Sequence, residues 1–318
     1  MKIKPILSLL LLTSLSSCTQ NNFVLNGKIF CFDTMVDISL YEGEEKDLNY
    51  IKDIFTYYDK VSDNYLSRDI ANVFTINNTN EEVQVGEQLY NLLKTSIEAT
   101  NTYSRYFNPL CGSLAKKWKF ALNNQQILDE IEINNELEKM NNTTILFKDN
   151  YIVQRVGEAE IDLGAIVKGY ANDLVYDYLN LLNYKSYLIN NGSSSILLGE
   201  KKSDDGYFSV GINDLNRAYL KLKNCFISTS SKSVQGVKIN NVTYSHIINP
   251  LTGMALNEND AVIVVSDVGF VGDILSTSLM MNSVEEIKTI EMANDVKTIV
   301  IRNNQIVYKN ENLEVYYR

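Results

Sequence analysis

Asp273 and Thr277 stand four residues apart in the run "GFVGDILSTSL". If that run is helical, a carboxylate and a hydroxyl share one face. Two hard oxygen donors side by side suit Mg²⁺, which takes carboxylates, waters and substrate phosphates rather than an all-protein cage. The alternative is an acidic residue early in a helix, where the helix dipole favours it, because Asp273 directly follows Gly272. His246 is the only histidine in the chain, in "YSHIINPLTG", where Pro250 and Gly253 pin the backbone just beyond the ring. An imidazole there can be a general base, a hydrogen-bonding group or part of a structural turn. One histidine and no paired cysteines exclude a histidine metal cluster, and without a G-x-S-x-G elbow serine-hydrolase chemistry is disfavoured.

A second group lies in "IDLGAIVKGYAND". Gly164 allows close backbone approach at a helix entry, whose free amides suit an anion. Asp162, Lys168 and Asp173 could orient a nucleotide there, or they are ordinary surface charges around a strand-to-helix turn. The small polar stretches 190–196, "NNGSSSI", and 228–233, "STSSKS", offer hydroxyls and amides to a ligand or form simple turns. Neither is a P-loop, because the Gly-Lys-Ser/Thr ending is missing.

Elements must position these groups. Residues 23–41 read as two strands broken near Asp33. "IKDIFTYYDKVS" and "GEQLYNLLKTSIEATNTYSRYF" have apolar residues at helical spacing, the second starting after Gly86 and ending at Pro109 and Gly112. "QQILDEIEINNELEKM" reads as a further helix and "TTILFKDNYIVQR" as a hairpin turning at Asp149-Asn150. A short strand before Gly164 leads into a helix, and 206–245 reads as short strands. "AVIVVSD" is a buried strand, "GFVGDILSTSLMMNS" a helix and "TIVIRNNQIVYKN" a terminal hairpin. Runs of strands with helices between them indicate an α+β fold with largely antiparallel sheet.

Hydrophobic residues make up 45% of the 318, enough for a buried core, and charged residues 21%. The net charge of -10 and the lack of a long basic run argue against nucleic acid as a partner. An acidic protein that holds a phosphorylated substrate needs local compensation from a metal or backbone amides. Cys31, Cys111 and Cys225 lack metal-ligand spacing and read as buried free thiols, one disulfide plus a free thiol being the alternative. Trp118, the only tryptophan, reads as core.

The start of the chain has Lys2 and Lys4, a short apolar run, then Leu15, Ser16, Ser17 and Cys18. The run is too short to span a bilayer comfortably and reads as a secretory signal. Its end resembles the lipobox of bacterial lipoproteins, with Cys18 as the lipidated residue; an ordinary cleaved signal is the alternative. This gives a signal peptide at 1–17, a lipidated tether at 18–24 and one domain at 25–318, held at a membrane surface.

Taken in order, "CFDTMVDISLY", "DKVSDNYLSRDIANVFTIN", "YFNPLCGSLAKKWKF", "IDLGAIVKGYAND", "LINNGSSSILLG", "ISTSSKS", "HIINPLTG" and "GDILSTSL" resemble the ApbE family of flavin transferases across nearly all of 25–318. The resemblance implies an ApbE-like α+β fold of mixed, largely antiparallel sheets packed with helices, with a ligand cleft between two lobes. It implies FAD as substrate, Mg²⁺ near its diphosphate, transfer of the FMN half to a Thr or Ser hydroxyl of an extracytoplasmic target protein, and release of AMP. Such targets carry a short Ser/Thr flavinylation motif. By matching motifs, Asp273 and Thr277 become side-chain metal ligands and Ala165 a backbone-carbonyl ligand, with Ser276 beside them. Asp162 and Lys168 become FAD contacts; Phe32, Ser62, Tyr65, Asn108, Pro109, Leu110 and Ile247 become walls of its pocket. His246 and Asp273 are the catalytic candidates. An FAD pyrophosphatase and a non-catalytic flavin-binding surface lipoprotein are the other readings. The chain departs from the family's common pattern at Phe32-Asp33-Thr34, where Met-Gly-Thr is frequent, at Asn108, where Asp is frequent, and in "NGSSS", where Gly-Gly is frequent.

Overall fold

The computed structural model describes residues 24–233 and 236–318, without the side chain of residue 101. The signal, the tether through residue 23 and Cys18 lie outside the described residues. Alternating side chains build β1 (Leu25–Cys31) and β2 (Thr34–Leu40), so that Val36, Ile38 and Leu40 all point into the core. Phe32 and Asp33 turn the chain between them, both with φ of 55°. Helix α1 (Glu45–Ser62) starts where Asp47 accepts the Glu44 amide at 2.8 Å, and it buries Leu48, Ile51, Phe55, Tyr58 and Val61 at helical spacing. Helix α2 (Val73–Asn77), strand β3 (Glu82–Gln84) and helices α3 (Glu87–Thr102), α4 (Gly112–Asn123) and α5 (Glu130–Asn141) follow, then the hairpin β4 (Thr144–Lys148) and β5 (Ile152–Val156). Helix α6 (Val167–Leu181) leads to β6 (Tyr187–Asn191), β7 (Ser195–Leu198), β8 (Phe208–Gly211), β9 (Ala218–Leu222), β10 (Cys225–Ser231), β11 (Val237–Ile239) and β12 (Val242–Tyr244). Beyond the histidine turn come β13 (Ala261–Ser266), α7 (Gly269–Ser278), a 3-10 turn (Leu279–Met281), α8 (Val284–Asn294), β14 (Lys297–Arg302), β15 (Gln305–Lys309) and β16 (Val315–Tyr317).

Eight strands form one antiparallel sheet in the order β1-β2-β6-β7-β10-β13-β14-β15. Strand period sorts its side chains. On β13, Ala261, Ile263 and Val265 pack toward the three-stranded sheet β16-β9-β8, while Val262 and Val264 pack under α7 with Val271 and Leu275. Helices α1 and α6 cover the same face as α7, over Ile38, Ile189 and Leu197. A third sheet, β3-β5-β4, joins α3, α4 and α5 to form the other part of the molecule. The strand-and-helix mixture matches the α+β expectation. Among the described residues no helix is long and apolar enough to cross a membrane.

Local expectations differ at several places, α1 among them, which starts at Glu45 rather than Ile51. Helix α3 stops at Thr102, because Ser104 takes over with a turn of its own, accepting the Tyr106 amide on its hydroxyl and the Phe107 amide on its carbonyl. Helix α5 starts later than expected, where the Asp129 side chain caps the Glu132 amide at 2.7 Å. The short strand before Gly164 is an extended segment with no ladder. Its polar groups are met singly: Ala159 N by Thr143, Ile161 N and O by the Asn77 amide, and Asp162 N by the Pro109 carbonyl. The hairpin at the end is followed by β16, which pairs with β9. Helices α2, α4 and α8 escaped the sequence reading.

Candidate functional site

Residues 228 and 230 are two apart on β10 and therefore face the same side, toward α7. Asp273 and Thr277 are one helical turn apart on α7 and face β10. Ser228 donates to Asp273 Oδ1 at 2.7 Å. The Ser230 hydroxyl lies 3.2 Å from both Ser276 Oγ and Thr277 Oγ1. Asp273, Ser276 and Thr277 thus form one polar cluster, with Asp273 only 5% exposed and Thr277 half-buried.

The other carboxylate oxygen of Asp273 accepts the backbone N–H of Gly169 at 2.6 Å. In a regular helix that amide would bond to the Ala165 carbonyl, four residues earlier. Here Ile166 and Val167 both donate to Leu163, Tyr170 donates to Ile166, and Gly169 goes to α7. Among the described residues the Ala165 carbonyl, just before α6, has no backbone donor.

Burial pushes the Asp273 carboxyl upward, and Lys168, Ser228, Gly169 and Ser195 pull it back without cancelling the rise. A buried carboxylate of this kind favours a bound cation. Its roughly four acceptor positions are not all taken by the donors present. The carboxylate and the Thr277 hydroxyl, on one face of α7, are hard oxygens of the kind Mg²⁺ takes, and the Ala165 carbonyl before α6 is a third oxygen of that kind. Among the described residues no three His, Cys, Asp or Glu side chains cluster.

Lys168, in the first turn of α6, reaches the Ser194 hydroxyl at 2.7 Å. Its charge is felt by both Asp273 and His246. His246 has a solvent-exposed surface but crowded surroundings, and burial first, then Lys168, lowers its pKa below the ordinary 6.5. Around the histidine the turn is closed by its own groups. Ser245 Oγ accepts the Ile247 amide at 2.8 Å, and Asn249 Oδ1 accepts the Leu251 amide at 2.9 Å. Trp118, buried as expected, donates to the Gly253 carbonyl at 2.7 Å and stacks on Tyr244 with ring centroids 5.8 Å apart. Ile247 is buried.

The expected FAD walls gather in two places. Asn108, Pro109 and Leu110 border Asp162: the Pro109 carbonyl accepts the Asp162 amide at 2.8 Å, and Asp162 Oδ1 in turn accepts Gly164 N at 2.7 Å. Ser62 ends α1, and Tyr65 follows in an exposed loop with Lys116 and Lys119 over its ring. Phe32 sits apart, at the β1–β2 turn. Its amide donates to Asp59 at 2.6 Å and its ring meets Phe55 edge-on. The neighbouring Thr34 instead lies against Gly192 in the β6–β7 turn.

Asp173 has both its oxygens engaged within the protein: they accept the Gly269 and Phe270 amides at 2.6 and 2.8 Å. Sequence reasoning also missed the specific roles of Ser228 and Ser230, for which the two-residue strand period was the available signal. Ser195 and Asn172 were missed too: Asn172 donates to Ser195 at 3.2 Å, and Ser195 reaches Asp273. Cys31 and Cys225 are buried and free, and Cys111 is free and half-buried.

A model of the ApbE family matches residues 32–300. Among curated relatives, the "FAD:protein FMN transferase" of Klebsiella pneumoniae is 27% identical over 70% of this chain and 72% of its own length. The protein of the same name from Vibrio cholerae is 24% identical over 80% of this chain and 76% of its own. Among solved structures, the ApbE protein of Thermotoga maritima superposes with a TM-score of 0.78 at 22% identity, covering 91% of this chain and 97% of that one. The Pseudomonas stutzeri flavinyl transferase ApbE gives 0.74 at 18% identity, covering 91% and 95%. With the family pattern running through both parts of the molecule and every element that carries the site, the chain belongs to the ApbE family.

Proposed function

We propose that this chain transfers the FMN half of FAD to a Ser or Thr hydroxyl of another protein and releases AMP, with Mg²⁺ bound beside the diphosphate. The observation that carries the reading is the polar cluster where α7 meets α6 and β10: Asp273 bonded to Gly169 and Ser228, Thr277 one turn on beside Ser230, and Lys168, whose charge is felt by both Asp273 and His246. The names of the relatives support the same reaction class.

Asp273, Thr277 and the Ala165 carbonyl would hold the metal, with Ser276 bracing Thr277 through Ser230. Bound there, Mg²⁺ supplies charge neutralisation at the diphosphate and at the departing AMP. Lys168 adds a positive charge for a phosphate in an otherwise acidic protein. Asp162 and the 108–110 turn border the dinucleotide. The acceptor oxygen attacks the FMN phosphorus; the new P–O bond forms as the P–O bond to AMP breaks. His246, kept neutral by its surroundings, takes the hydroxyl proton. The lipobox-like sequence at Cys18 supports an extracytoplasmic, lipid-anchored location, which labelling with a radioactive fatty acid in wild type and Cys18→Ala tests.

Incubation with FAD and Mg²⁺, with and without an acceptor protein, separates the activities. Covalent flavin fluorescence on the acceptor with matching AMP supports transfer. AMP and free FMN without acceptor identify a pyrophosphatase. FAD binding with no turnover under any metal condition identifies a flavin-binding protein and sinks the proposal.

A further inference from the structure

Helices α6 and α7 carry the same five-residue pattern near their starts, a glycine and then an aspartate four residues on: Gly169-Tyr170-Ala171-Asn172-Asp173, from the third residue of α6, and Gly269-Phe270-Val271-Gly272-Asp273, from the first residue of α7. Each aspartate accepts the amide of the other helix's glycine. Gly169 N–H reaches Asp273 at 2.6 Å, and Gly269 N–H reaches Asp173 at 2.6 Å. Phe270 N–H adds a third bond, to the second Asp173 oxygen at 2.8 Å.

The first amides of a helix lack intrahelical partners and are normally met by a side chain just before the helix. Neither Ile166 nor Val268, the residues in those places, caps its helix with a side chain. Each helix is capped by its neighbour instead. The glycines are where the two backbones touch. A methyl group on Gly169 would stand 2.3 Å from the Gly269 carbonyl oxygen, and one on Gly269 would stand 2.5 Å from the Gly169 carbonyl oxygen. The arrangement is reciprocal in geometry but not in surroundings, because only Asp273 has the Ser228 hydroxyl bonded to it and Thr277 one turn further along its helix.

We infer that Asp173 is a positioning residue for the Asp273 site: it fixes the start of α7 against α6, and so sets where the Asp273 carboxylate stands one turn later. The inference rests on the reading of Asp273 as a metal ligand. Asp173 itself touches neither metal nor substrate. It acts through the Gly269 and Phe270 amides, as partners outside a ligand set orient the ligands.

The test is Mn²⁺ binding, followed by electron paramagnetic resonance on the full folded domain without FAD, together with steady-state kinetics. Asp173→Asn keeps the volume but turns an NH₂ group toward one of the two amides. The expected result is about 10- to 100-fold weaker Mn²⁺ binding, a lower kcat, and a KM for FAD changed by less than about twofold. A variant with a lower Tm but unchanged Mn²⁺ affinity and kcat overturns the inference and leaves Asp173 as a helix cap only. Asp273→Ala is the control. If it also leaves Mn²⁺ binding unchanged, the metal reading itself has failed; if it alone loses binding, only the role of Asp173 has. Should Asp173→Asn not fold, hydrogen exchange on the wild type decides. Slower exchange at the Gly269 and Phe270 amides on adding Mn²⁺ supports the coupling, and unchanged exchange overturns it.

Discussion

Gly169 gives its amide to Asp273 at 2.6 Å and so withholds it from the Ala165 carbonyl. That bond is one of three that tie α6 to α7, and among the described residues no other backbone donor meets the Ala165 carbonyl. Asp273→Ala removes the acceptor of both Gly169 and Ser228. The expected cost is about 1–3 kcal/mol per unpaired buried group, leaving a folded protein, with turnover lower by at least about 100- to 1,000-fold. Guanidinium unfolding and AMP release measure the two effects. Turnover near wild type would remove Asp273 from the site.

The histidine makes a pH prediction. Its pKa lies below 6.5, so the basic, neutral form predominates at neutral pH. The rate of transfer should rise with pH through that lowered value and level off before pH 7. His246→Ala should abolish this acid limb and lower kcat by about 100- to 10,000-fold, with a smaller effect on FAD binding. Equal losses in both would mark the turn as structural.

Lys168→Met tests the neighbouring charge. Without the ammonium group, the acid limb should move up toward pH 6.5, and the KM for FAD should rise. A limb that stays in place would show that burial alone sets the His246 value.

Asp173 gives a stability prediction for the metal-free protein. Unfolded, its carboxyl releases a proton near 3.8; folded, burial, opposed by two amides and helped by Asp273 and Asp177, moves it to about 7. Between these values the folded state holds the extra proton, so raising the pH favours unfolding. From pH 5 to 7 the wild type should lose more stability than Asp173→Asn in denaturant titrations. Parallel curves would contradict the shift.

The turns that hold Asp33 and Ser193 touch through the neighbouring residues Thr34 and Gly192. Asp33 and Ser193 have φ of 55° and 61°, in the region glycine prefers, and a methyl group on Gly192 would stand 2.1 Å from Thr34 Oγ1. Asp33→Gly and Ser193→Gly should each stabilise the fold by about 0.5–1 kcal/mol, whereas Gly192→Ala should destabilise it. Thermal melts of the three variants are sufficient.

Legibility followed the range of the interaction. The β1–β2 break, the buried β13 strand and the Asp273–Thr277 face were readable because strand and helix periods are local. Helix α4 was hidden behind Pro109 and Gly112, which read as breakers, although Gly112 is the first residue of α4 and packs on the Glu160 carbonyl. The site itself needed partners far away in sequence. The partner of Asp173, the Gly269 amide, stands 96 positions on. The same distance problem concealed Ser228, which meets Asp273 across 45 positions.

Trp118 is the chain's sole indole, held by the Gly253 carbonyl and stacked on Tyr244, two residues before the histidine. Indole emission, excited beyond the tyrosine band, therefore originates beside the turn that carries His246. A bound isoalloxazine absorbs where indole emits, so dinucleotide occupancy and loop motion can be followed in real time with no attached dye.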